Sequence, residues 1–120
     1  MSRFEFRYGR LTRLLLTPFL MGPRRSWVEV TPDSVQVRMG LAFRATIPRS
    51  AIASARAGGR AIAVGVHGWR GRWSVTSSRR GIVTLGLDPP VRARFNGIPT
   101  RVRELRVSLV HPGELVRELG

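Results

Sequence analysis

The stretch that decides the fold begins at residue 26 and reads SWVEVTPDSVQVRMGLAFRATIPRSAI through residue 52. Apolar and polar residues alternate on both sides of Thr31-Pro32-Asp33-Ser34, a pattern that is typical of half-buried β-strands. Proline presets φ at the second position of this tetrapeptide and aspartate suits the third, so it predicts a turn. Similar short runs, each cut by glycine or proline, continue to Leu109. Residues 26–110 therefore predict a mainly β fold, a partly open antiparallel barrel.

The inward side chains of the predicted strands are expected to share one core. Val102 is out of phase with the apolar positions that follow it, which predicts either a bulge or a late start of the strand near Arg103-Glu104. The predicted core set is Val35, Val37, Phe43, Ile47, Leu85, Leu105, Val107 and Leu109.

A capping helix is predicted over residues 111–119. Pro112 suits the first helical position, Glu114 follows in the first turn, and His111 takes the N-cap. The apolar face that would pack on the sheet consists of Leu115, Val116 and Leu119.

Residues 1–25 predict a short strand and a short amphipathic helix. Aromatic side chains at positions 4, 6 and 8 alternate with charged ones, and the apolar period then becomes helical until Pro18. The apolar run 14–21 is far shorter than the roughly 20 residues of a spanning helix, and no signal-peptide cleavage site follows it. The helix either covers one end of the barrel, which we favour, or inserts shallowly into a membrane. In the second case the headgroup contacts are Arg10, Arg13, Arg24 and Arg25.

Composition points to an anionic partner. All 21 basic residues are arginine and only 7 residues are acidic, which leaves a formal net charge of +14. The length of 120 residues predicts a single domain over residues 1–120. The alternative is a basic surface that only keeps the protein soluble, with arginine usage set by genome composition. The absence of cysteine excludes disulfides and thiolate metal sites and fits a reducing cytoplasm.

Arginines at two-residue spacing on the predicted strands are the candidate anion- or partner-binding residues. Guanidinium groups on one face of a strand can hold phosphate or carboxylate bidentately. The candidates are Arg70, Arg72, Arg92, Arg94, Arg101, Arg103 and Arg106. A base-stacking platform needs aromatic side chains beside the arginines, whereas alternation through residues 69–75 puts Trp69 and Trp73 on the face opposite Arg70 and Arg72. Nucleic acid is therefore the less favoured partner.

Residues 28–38, VEVTPDSVQVR, followed by residues 43–52, FRATIPRSAI, resemble the opening of bacterial pleckstrin-homology-like domains. Gly81-Ile82-Val83-Thr84-Leu85 and the helix from Pro112 are similar to small actinobacterial proteins of that type. The resemblance covers about residues 26–119 and implies two nearly orthogonal antiparallel sheets with a C-terminal helix. It also implies a membrane-associated or protein-binding module. Eukaryotic relatives often bind phosphoinositides through basic residues at the first hairpin, but the tip here, Thr31-Pro32-Asp33-Ser34, has none, so that activity is not carried over.

No catalytic, cofactor or metal site is predicted. His67 and His111 are the only histidines, and neither has a carboxylate or a second histidine at metal-ligand spacing. The prediction is a non-catalytic module that recognises an acidic lipid surface or an acidic protein at the cytoplasmic face of the membrane. The alternative is nucleic-acid binding through the same arginines.

Overall fold

The computed structural model describes residues 2–8, 26–61 and 64–120. Within these ranges the chain is mainly β, with one helix, α1 (Pro112–Leu119), at the C-terminus, so both of these predictions are confirmed. A short 3-10 helix spans Arg49–Ala51. The predicted N-terminal helix and its Arg10, Arg13, Arg24 and Arg25 lie outside the described residues. The strands are β1 (Ser2–Glu5), β2 (Ser26–Val30), β3 (Ser34–Met39), β4 (Phe43–Pro48), β5 (Ile52–Ala57), β6 (Gly65–Trp69), β7 (Arg72–Thr76), β8 (Ile82–Phe95) and β9 (Ile98–Ser108).

These strands form one sheet in the order β1-β2-β3-β4-β8-β9-β7-β6, and β5 also pairs with β8. Strand β8 is long enough to serve both halves of the sheet, because its first part pairs with β5 and its last part with β4. The β8–β9 register shifts between Gly86 and Val91, where β8 carries two prolines. A single bridge between Phe6 and Leu109 brings the N-terminal segment to the end of β9, but no full strand pair closes the described sheet.

One strand pair is parallel, so the prediction of a purely antiparallel sheet is wrong. Strand β7 runs parallel to β9, with Trp73 beside Leu105 and Val75 beside Val107. The reason is topological. The chain reverses direction between β7 and β8 and again between β8 and β9, so β7 and β9 run the same way. In the sheet, β9 lies between β8 and β7 and therefore pairs with β7 in parallel.

The core forms where the alternation predicts it, because every residue of the predicted core set is buried. The phase change in β9 is also confirmed. Val102 and Leu105 are both buried, and the amides of Arg103 and Glu104 both donate to the Gly71 carbonyl, at 2.8 and 3.2 Å. Two successive amides on one acceptor mark a bulge.

Helix α1 packs on β5 and β8 through the fully buried Leu115. His111 occupies the N-cap position as predicted, without a capping hydrogen bond from its side chain. The guanidinium of Arg49 donates from Nη2 to the Glu118 carbonyl at 3.0 Å, near the C-terminal end of the helix. This contact stabilises carbonyl groups that have no partner within the helix.

Candidate anion-binding site

Three arginines lie in one row across the outer face of the sheet. Arg38 and Arg44 are direct partners in the β3–β4 register, and Arg44 and Arg94 are direct partners in the β4–β8 register. Cross-strand partners share a face and lie on strands about 4.8 Å apart, so the three side chains leave the sheet side by side. Their chain neighbours Phe43, Ala45 and Ala93 turn inward and are buried.

A groove of about 480 Å³ runs along this row. Arg92, two residues before Arg94, adds a fourth guanidinium group to it. We call this feature the arginine groove and define it by Arg38, Arg44, Arg92 and Arg94. Among the described residues, its lining is Trp27, Gln36, Val37, Arg38, Arg44, Ala45, Thr46, Arg92, Ala93, Arg94 and Pro99. None of these lining residues is acidic, so their guanidinium charges are not neutralised within the groove.

Two tight turns hold the guanidinium groups of Arg38 and Arg94, the two outer members of the row. Arg38 donates from Nε to the Gly40 carbonyl at 3.4 Å, and Arg94 donates from Nη1 to the Gly97 carbonyl at 3.0 Å. Both glycines have positive φ, 53° and 80°, which lets the chain reverse within a few residues. Each turn therefore presents its carbonyl oxygen to the arginine that precedes it in the chain.

Trp27 on β2 is the direct register partner of Arg38 and extends the row by one strand. The Trp27 ring lies 5.3 Å from the Arg38 guanidinium carbon and 4.3 Å from that of Arg3 on β1. Such cation–π contacts fix the planes of both arginines. The half-buried Trp27 is thus flanked by charge and positions Arg38 at the groove wall.

The predicted arginines divide into two groups. Arg92 and Arg94 line the groove and are exposed, and Arg101 is the direct partner of Arg92 in the β8–β9 register. Arg38 and Arg44 were missed by the sequence reasoning. A signal for them exists, since they are placed symmetrically about Leu41, and a hairpin centred on that residue sets them opposite each other.

The remaining candidates lie around the β6–β7 hairpin and do not line the groove. Arg103 donates from Nε to the Arg70 carbonyl at 3.0 Å, and Arg72 is the register partner of Glu104 in the β7–β9 pair. Arg106 is the partner of Ser74 and is partly buried. A carboxylate beside Arg72 makes this second group a weaker anion site than the groove.

Of the two tryptophans in this hairpin, only Trp69 was assigned to the wrong face. A two-residue turn at Arg70-Gly71, both with positive φ, reverses the chain between them. Trp73 points inward, where its ring lies 5.7 Å from that of Phe43 and 5.0 Å from that of Phe95. Trp69 is instead the register partner of Arg72 and is 75 % exposed. The guanidinium carbon of Arg70 lies 5.6 Å from the Trp69 ring.

The other polar residues of the described ranges do not form a comparable cationic site. A second groove of about 440 Å³ gathers Glu5, Glu114, Glu118 and His111, while His67 is exposed on β6. No group of three histidine, cysteine or acidic residues in the described ranges could hold a metal ion. Burial raises the pKa of the Tyr8 phenol above its ordinary value of 10.0, an effect that hydrogen bonds with Ser26 and Ser77 partly offset.

Comparisons with protein-family models, curated proteins and solved structures gave no match to this chain. Among the helices of the described segments, none has the length and apolar character needed to cross a membrane.

Proposed function

We propose that this protein is a non-catalytic binding module that docks on an acidic lipid surface at the cytoplasmic face of a membrane. The arginine groove is the proposed contact. The observation that carries the proposal is the row of Arg38, Arg44 and Arg94, in which like charges stand directly opposite one another across three strands. Such pairs destabilise a sheet. An anionic ligand that spans the row accounts for their presence in a groove whose described lining residues include no carboxylate.

The spacing of the charges supports a surface that carries several phosphates. Arg44 and Arg94 stand on strands about 5 Å apart, and Arg92 lies about 7 Å along β8 from Arg94. A single phosphate group is satisfied by one or two guanidinium forks. Four forks spread over three strands therefore suit several anionic groups at once, and an acidic membrane presents such an array.

The chemistry of the lining supports a binding role and not catalysis. Among the described residues that line the groove there is no histidine, cysteine or carboxylate, and these are the groups that most often act as acid, base or nucleophile. The hydroxyl group among these described lining residues belongs to Thr46. Guanidinium groups remain charged at all ordinary pH values, so they serve here as fixed cationic hydrogen-bond donors.

The test replaces Arg92→Gln and Arg94→Gln together and measures binding to mixed phosphatidylcholine–phosphatidylserine vesicles. Each arginine near an anionic surface contributes about 1 kcal/mol, so the pair is expected to weaken the vesicle affinity about 30-fold. A control with Arg80→Gln and Arg117→Gln loses the same charge at exposed positions outside the groove. It should bind far more tightly than the groove variant.

Several outcomes would overturn the proposal. Undiminished vesicle binding by the folded groove variant removes these arginines from the site. Wild-type protein that binds an acidic protein but not vesicles has a different partner class. Wild-type protein that binds no polyanion leaves the solubility interpretation of the net charge in place.

Added salt should weaken the wild-type interaction, because exposed charges are screened over roughly 10 Å at 0.1 M.

Nucleic-acid binding is the second candidate, and one observation favours it. The turn at Arg70-Gly71 places the exposed Trp69 on the same face as Arg72, so an aromatic ring does lie beside arginines. Single-stranded nucleic acid is held by stacking on such rings and by nearby cations. The test compares binding to a single-stranded oligonucleotide with binding to vesicles. Nucleic-acid binding would replace the first proposal if the wild type binds the oligonucleotide more tightly than vesicles and Trp69→Ala loses that affinity.

A further inference from the structure

Two large apolar side chains are exposed on neighbouring turns. Leu41, in the turn between β3 and β4, is 54 % exposed, and Ile98, directly after the turn between β8 and β9, is 65 % exposed. The turns are held side by side, because the Asn96 amide donates to the Ala42 carbonyl at 2.9 Å. We call Leu41 and Ile98 with these two turns the apolar tip.

The apolar tip stands on a rigid base. The side chains behind it, Phe43 and Phe95, both contact the Trp73 ring, and Phe43 is fully buried. Phe95 is the register partner of both Phe43 and Ile98. The core beneath the tip is therefore complete without Leu41 and Ile98, and packing does not account for these two side chains.

Arginines of the groove surround the same two turns. Arg38 donates to the carbonyl of Gly40, the residue before Leu41, and Arg94 donates to the carbonyl of Gly97, the residue before Ile98. Arg44 stands between them in the row. The same two turns thus hold cationic groups and carry the exposed apolar side chains. Surfaces that enter the boundary between headgroups and acyl chains combine these two features.

We propose that the apolar tip penetrates an anionic membrane, with Leu41 and Ile98 below the headgroups and the arginine groove at the level of the phosphates. The inference rests on the proposed function and adds to it the orientation of docking and an apolar contribution to affinity. The complementarity is of two kinds at once. Apolar side chains meet acyl chains, and guanidinium groups meet phosphates.

The test compares Leu41→Ser and Ile98→Ser with the wild type in binding to phosphatidylcholine–phosphatidylserine vesicles and to heparin, a soluble polyanion. The matched control is Val110→Ser, since Val110 is 46 % exposed but lines the groove that contains Glu114 and Glu118. Each tip substitution is expected to weaken vesicle binding about tenfold and to leave heparin binding unchanged. The control should change neither.

A second measurement reports insertion directly. The chain has no cysteine, so Ile98→Cys and Val110→Cys each offer one site for a polarity-sensitive fluorophore. Vesicles should shift the emission to the blue at position 98 and not at position 110.

The two proposals fail in different ways. Tip variants that bind vesicles like the wild type, or a fluorophore at position 98 that stays in water, overturn the insertion while the groove variants can still lose affinity. Groove variants that keep full vesicle affinity overturn the proposed function itself.

Discussion

Replacing Arg44 by glutamine should make the folded protein more stable while it weakens anion binding. Arg44 is the middle member of the arginine row, with Arg38 and Arg94 as its direct cross-strand partners. A directly opposed pair in a sheet is worth roughly 0.2–1 kcal/mol. Relief of two like-charge pairs should therefore raise the free energy of unfolding by about 0.5–2 kcal/mol. One kcal/mol shifts Tm by about 4 °C in a domain of this size, so we expect an increase of about 2–8 °C.

Calorimetry and urea unfolding at low salt measure this effect, and two controls isolate it. Arg44→Lys keeps the charge and should show no gain. Arg80→Gln removes the same charge from an exposed turn, and it should show only the small effect of a lower net charge. The gain for Arg44→Gln should shrink in 1 M salt, where the screening length falls to about 3 Å. A gain that persists at high salt, or no gain over Arg80→Gln, would refute the argument from repulsion.

Two further predictions concern the core. Leu105→Ala leaves a cavity at a fully buried position between Leu85 and Trp73. It should lower the free energy of unfolding by about 2–5 kcal/mol, measured by urea unfolding. A loss below about 1 kcal/mol would contradict this placement. Burial raises the pKa of Tyr8 in the folded state, so the folded protein holds this proton more tightly than the unfolded chain. Its stabilising contribution is present below the unfolded pKa of about 10 and is lost as the pH rises through the folded pKa. The chain has one tyrosine, no lysine and no cysteine, so Tyr8→Phe should abolish most of the stability change just above pH 10, and an unchanged alkaline profile would contradict the assignment.

The period-two alternation was enough to predict the core of this fold. Val35 and Val37 in β3, and Phe43 and Ile47 in β4, are buried as their spacing indicates. The reason is local. In a strand, successive side chains point to opposite faces, so one buried member assigns its whole run, provided that no turn interrupts it.

The turn at Arg70-Gly71 is where this local reasoning failed. Alternation continued across it placed Trp69 and Trp73 on one face, whereas the hairpin pairs Trp69 with Arg72 and Gly68 with Trp73. A glycine between two apolar runs was the available signal for reversal. The parallel pairing of β7 with β9 had no such signal, because it depends on contacts between segments about 30 residues apart in the chain.

The candidate site was predicted in part for the same reason. The exposure of Arg92 and Arg94 follows from the buried Val91 and Ala93 beside them. The presence of Arg44 in the same groove follows only from the β4–β8 pairing, which joins residues about 50 positions apart. Local pattern therefore predicts which arginines are exposed, and tertiary pairing decides which of them stand together.

The alternation that builds the core also builds the groove. Arg44 stands between Phe43 and Ala45, which are both buried. Successive residues of the strand thus point alternately toward solvent and toward the interior. Burial of apolar area contributes roughly 25 cal/mol per Å² and offsets the repulsion among the guanidinium groups outside. An anion that bridges the row reduces this repulsion as it binds, so its attraction to the arginines and the relief of their repulsion act in the same direction. Because the arginines project from paired strands, the charge pattern is preformed, and binding of the proposed anion would require little reordering of the backbone.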